Sequence, residues 1–117
     1  MNEQDTKYQG WTNYETWCVA LHLDNTRESY QRSRNDAQAA FERAPSTKRV
    51  TECGWTVREA AQSELATLLC DAVESEQPTL NGMFHDLLNG ALSQVNWSEI
   101  AASILSEIES DRSGDTR

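Results

Sequence analysis

After Val57, the residues Ala61, Leu65, Leu68, Leu69 and Ala72 fall at helical spacing, and Leu80, Met83, Phe84, Leu87, Leu88, Ala91, Leu92 and Val95 continue the same rhythm. A stripe with a period near 3.6 residues can put its apolar groups on one side only as a helix, and that side must face a core. The same spacing holds for Tyr14, Trp17, Cys18 and Leu21 near the start, and for Trp97, Ile100, Ala101, Ile104 and Ile108 near the end. Each run is preceded or punctuated by a start or stop signal. Thr12…Glu15, Thr56…Glu59 and Asn96…Glu99 each set a side-chain acceptor three residues before a carboxylate, the pattern of a helix N-cap. Asp24-Asn25-Thr26, Pro45 and Gln77-Pro78 read as breaks.

These signals predict an all-α, compact single domain of about five helices. The first covers roughly 13–24. The second, 27–43, has only Tyr30, Ala37, Ala40 and Phe41 to bury and is expected to be mostly exposed. A short connector around 44–55, with room for a brief extended segment at Val50-Thr51, leads to the third helix. The fourth, from Leu80 to Val95, carries the cleanest stripe and is expected to be buried; the fifth begins at Trp97. The first, third, fourth and fifth stripes would share the core. With 117 residues, one domain spanning 1–117 is expected, with an ordered core of about 8–109 and a disordered C-terminal tail from Ser110. Folding at this length buries roughly 65% of the unfolded chain's surface, so the fold needs no metal or disulfide staple.

Ten Lys and Arg against 19 Asp and Glu give a net charge of −9. A phosphate backbone would repel such a chain, which disfavours direct nucleic-acid binding and favours a basic protein surface as partner. Cys18, Cys53 and Cys70 are an odd number at irregular separations, the usage of reduced thiols in a cytoplasm, and no disulfide is expected. The first ten residues lack the features of a signal peptide, and no apolar run approaches the roughly 20 residues of a membrane span.

Gly10-Trp11-Thr12-Asn13-Tyr14-Glu15-Thr16-Trp17, followed by Val19-Ala20-Leu21 and Asp24-Asn25, resembles the opening motif of a family of small proteins encoded by tailed phages, plasmids and some prokaryotic genomes. Asp86-Leu87-Leu88 and the run from Ala91 through Gln94-Val95-Asn96-Trp97 to Ala101 are similar to the same family's closing segment. The resemblance implies a mobile-element accessory protein and implies no activity or catalytic residue. Cys18 departs from the family pattern, which has a polar residue there.

Charge is unevenly spread. Residues 27–58 hold seven basic and four acidic groups, whereas 59–111 hold ten carboxylates and no Lys or Arg. Glu64, Asp71 and Glu74, at i, i+7 and i+10, fall on one flank of the third helix. Glu74 and Glu76 close that helix with acid, where the helix dipole prefers cations. The acidic stretch reads either as solvated surface or as a face that occupies a basic groove in place of phosphates. On the second reading Glu64, Asp71, Glu74, Glu76 and Asp86 supply the attraction and Trp11 an apolar anchor. Trp11 has a structural alternative, a hydrophobic staple at the entry to the first helix.

Catalytic and metal signals are weak. Cys18 and His22 at i, i+4 would make half a zinc site without a second pair of ligands, and His85-Asp86 with Cys70 or Cys53 lacks any supporting nucleophile elbow. No enzyme and no cofactor are expected. The leading expectation is a cytoplasmic, phage- or plasmid-borne anti-defence protein. It would be an anti-CRISPR or anti-restriction inhibitor that binds a host defence or nucleic-acid-binding protein through an acidic, DNA-mimicking surface. Two alternatives are a nucleic-acid-binding regulator using Arg27, Arg32, Arg34, Arg43, Lys48 and Arg49, against which stands the intramolecular reading that the basic helix packs beside the acidic ones, and a homodimeric structural protein joined through the exposed apolar remainder of its first and fourth helices.

Overall fold

In the computed structural model, which describes residues 7–115 and places side chains as far as Ser110, Thr56 and Glu59 cap a helix reciprocally. Glu59 N–H donates to Thr56 Oγ1 at 3.0 Å and Thr56 N–H donates to Glu59 Oε1 at 2.9 Å. The helix they open is one of six: α1 (Tyr14–Asn25), α2 (Arg27–Arg43), α3 (Lys48–Thr51), α4 (Val57–Ser75), α5 (Gly82–Ser93) and α6 (Trp97–Asp115). The described residues are helical with no strand, and the five expected helices are all present. The connector around 44–55 is coiled rather than extended. A 3-10 turn at Ala44–Ser46 and the four-residue α3 fill it, because Pro45 sits where its missing N–H costs nothing and Thr47 accepts from Val50 and Thr51.

The core lies between α1, α2, α4 and α6. Leu65 and Leu69 from α4 and Ile100, Ala101, Ile104, Leu105 and Ile108 from α6 are buried, as their stripes require. The second helix is a correction. Nine of its 17 residues are exposed, as expected, yet α2 shares the core: it packs against α1, α4 and α6, with Ser33, Ala37 and Ala40 buried and Ala44 buried just beyond its end. Its buried face is built of small residues, which let neighbouring backbones come close without registering as a hydrophobic stripe. Ser33 meets its polar need locally, donating to Tyr30 O at 2.9 Å.

The fourth expected helix is the second correction. None of α5's residues is buried, no other helix packs along it, and Met83, Phe84 and Leu87 are 65%, 62% and 62% exposed. The core is complete without it, since α2 takes the place that α5 was expected to fill. The backbone of α6 is helical to Asp115; the expected tail ends on 116–117, outside the described residues.

No described helix is long and apolar enough to cross a membrane. All three cysteines are free, Cys53 exposed and the other two half-buried.

Candidate functional site

Both segments that carry the resemblance meet in space. Tyr8 and Trp11 close a tight turn through paired N–H···O bonds of 2.8 Å, with Gln9 and Gly10 at φ 50° and 88°; glycine takes the second of these left-handed positions at no steric cost. The cap of α1 is Asn13 rather than Thr12. Asn13 Oδ1 accepts from Thr16 N–H at 2.9 Å and from the Thr16 hydroxyl at 2.6 Å, while its Nδ2 donates to Gln94 O at 2.7 Å. The fully buried Thr16 Oγ1 in turn accepts from Asn96 N–H at 2.8 Å, and Thr12 N–H donates to Glu99 Oε1 at 3.1 Å. This clasp joins the start of α1 to the link between α5 and α6. The Asn96 side chain remains the α6 cap, accepting from Glu99 N–H at 3.0 Å. The motif's polar residues therefore fix where α5 leaves the body.

Trp11 is half-buried and packs against the core, in line with a structural role at the entry to α1. The exposed aromatic of the motif is Tyr14, whose ring centroid lies 5.2 Å from Tyr8 and 5.6 Å from Trp17.

Folding disperses the acidic stretch. Glu64 is bound by Arg43, Glu76 by Arg32 at 3.7 Å, Glu107 by Arg34 and Glu109 by Arg58. Glu59 and Glu99 accept backbone N–H groups. Asp71, Glu74 and Asp86 have no Lys or Arg partner among the described residues; Asp86 has only His85, at 3.6 Å. Glu64 also lies apart from Glu74, about 15 Å along α4, beside Lys48 and Arg49. Four of the six cations in the basic segment are engaged as well, Arg27 and Lys48 being the exceptions among the described residues. Arg32, Arg34 and Arg43 are held by carboxylates, and Arg49 by Ser63 Oγ at 2.6 Å and the Trp55 ring at 5.0 Å.

What the sequence reading missed is a groove of about 680 Å³ between α1, α2, the end of α4 and the inner flank of α5. Val19, Leu23, Val73, Pro78, Leu88 and Leu92 give it apolar walls, and Glu28 and Glu76 line it alongside Arg32. Glu74 sits in an adjoining depression with Leu80, His85 and Leu88. The available signal was the width of the α5 stripe, whose apolar residues cover about half the helix circumference, more than one neighbour can bury. Cys18 and His22 also line the groove, but no group of three or more His, Cys, Asp or Glu is placed to hold a metal ion among the described residues.

Burial pushes the Cys70 thiol above its ordinary range, and the carboxylates of Glu74 and Asp71 push it further. At pH 8 Cys70 should therefore react with iodoacetamide several-fold more slowly than exposed Cys53, followed by mass spectrometry. Glu74→Gln removes one of those charges, lowers the pKa and should narrow the gap; an unchanged ratio would show that Glu74 does not act on the thiol.

No curated protein and no solved structure matches the chain. A family model matches residues 4–110, nearly the whole sequence, and the chain therefore belongs to DUF7249, a family of unknown function.

Proposed function

We propose that this protein acts by binding another protein and performs no chemistry, and that its groove takes a basic amphipathic segment of a nucleic-acid-handling partner in the cytoplasm. The observation that carries this reading is the groove itself, with apolar walls and with Glu28 and Glu76 on its lining and Glu74 beside it. An amphipathic helix laid in such a groove buries its apolar side chains while its Lys or Arg meet the carboxylates. The volume suits three or four anchoring side chains. Arg32, the cation on the lining, is already opposed by Glu76. If the chain is carried by a phage or plasmid, as its motifs suggest, the partner becomes a host defence complex. The protein is then an inhibitor of CRISPR or restriction machinery. The acidic contribution is local to Glu28, Glu74 and Glu76 rather than a long imitation of phosphates, and Glu64, Asp71, Asp86 and Trp11 are left out of it.

The test is a pull-down from nuclease-treated host lysate with the wild-type protein and with Glu74→Lys/Glu76→Lys. Cations at the end of α4 suit the helix dipole, so the double variant should keep its helicity and thermal midpoint. A basic nucleic-acid-handling protein that is eluted by salt from the wild type, and retained at least tenfold less by the variant, is the expected result. Equal capture by both proteins, or no specific capture by the wild type, would overturn the reading.

A further inference from the structure

We infer that the outer face of α5 pairs with α5 of a second copy of this chain, antiparallel, about a two-fold axis at Leu87. Exposed Met83, Phe84 and Leu87 leave on the order of 350 Å² of apolar surface, a patch of the size that marks an interaction site on a monomer. A twelve-residue helix of this kind, with glycines at 82 and 90 and no helix packed along it, is marginal in water without a cover.

The sequence of α5 fits its own reversed copy. Relative to Leu87, Met83 and Gly90 lie about 40–60° to one side and Phe84 and Ala91 about 40–60° to the other, at 100° per residue. A two-fold at Leu87 keeps each side with itself and exchanges the N-terminal turn for the C-terminal one. Met83 then falls over Gly90 of the second copy and Phe84 over Ala91, large against small on both sides of the Leu87–Leu87 contact at the axis. Within one copy nothing asks for glycine at 90. A Cβ built there meets nothing within 4 Å, and glycine is among the poorest helix formers. Close approach of a second helix supplies the reason.

Charge permits the contact although the chain carries −9. The face contains no ionisable side chain, and Asp86 points about 100° away from Leu87. The groove under Leu88 and Leu92 is on the opposite flank of the stripe, so pairing leaves it open. A helix pair of this size buries less than the roughly 1,200 Å² of a standard interface, so a weak dimer that dissociates on dilution is expected.

Sedimentation equilibrium over a dilution series from high to low micromolar decides the matter. The full chain should pass from dimer to monomer, and Leu87→Asp should be monomeric throughout. Gly90→Leu is the more specific variant: it should raise the thermal midpoint of the dilute monomer, since leucine favours the helix and has open space there, yet weaken dimerisation at least tenfold. Glu74→Lys/Glu76→Lys, which tests the groove, should dimerise as the wild type does. A wild-type chain monomeric at every concentration overturns the proposal, as does a dimer indifferent to Leu87→Asp or Gly90→Leu.

Discussion

Ala37→Leu in the middle of α2 should lower the thermal midpoint by roughly 10–15 °C. Ala37 is 0% exposed, on a helix that packs against α1, α4 and α6 together. Three added carbons have nowhere to go without driving neighbours off their rotamers or prising two helices apart. Overpacking of this kind costs about 1–3 kcal/mol and sometimes more, and the three-sided enclosure places this site at the upper end. In a domain of this length each kcal/mol is worth roughly 3–5 °C. Gln38→Leu, one position along on exposed surface, is the control and should move the midpoint by no more than a degree or two. Thermal unfolding followed by circular dichroism separates the two architectures cleanly. If Ala37→Leu is as harmless as Gln38→Leu, α2 lies outside the core.

Thr16→Val should cost nearly as much for a different reason. The substitution keeps the shape of a fully buried side chain and removes only its hydroxyl. That hydroxyl donates to Asn13 Oδ1 and accepts from Asn96 N–H, so valine breaks both bonds and leaves the part-buried Asn96 N–H without a protein partner. An orphaned group of this sort costs about 1–3 kcal/mol, here a midpoint drop of roughly 5–10 °C. Thr16→Ser, which keeps the hydroxyl, should recover most of the loss. Amide exchange gives a second readout, because Asn96 N–H should lose its protection in Thr16→Val. A valine variant as stable as the wild type would mean that the clasp contributes nothing.

Helix starts whose partners lie within one turn were legible in the sequence. Thr56 with Glu59 and Asn96 with Glu99 need no knowledge of the rest of the chain, and the Asn96 cap forms although Glu99 gives its own carboxylate to Thr12. The choice of Asn13 over Thr12 was not legible. Both residues can cap, and Asn13 prevails because its amide also reaches Gln94 O, 81 positions away. Ala37 and Ala40 were legible as residues to bury, but the place of α2 in the core was not, because alanine carries almost no hydrophobic signal and its worth depends on how closely other helices approach. Pairing of the basic helix with the acidic ones was expected in outline, but the individual partners were not legible, since Arg34 and Glu107 stand 73 positions apart. For α5 the stripe correctly announced a need for burial, but periodicity cannot say whose surface meets it. Of the candidate site residues, Asp71, Glu74 and Asp86 keep uncompensated charge, whereas Glu64 and Trp11 are absorbed into the fold.

The clasp between Thr16 and Asn96 also sets a clock on the ribosome. The two residues are 80 positions apart, and at about 5–20 residues per second the first is made roughly 4–16 seconds before the second. During that interval the Thr16 hydroxyl has no Asn96 amide to accept from, and α6, which supplies much of the core, has yet to be synthesised. A message truncated before codon 96 therefore yields a chain whose opening motif can never be closed, and the quality of the N-terminal helix is decided by the last fifth of the sequence.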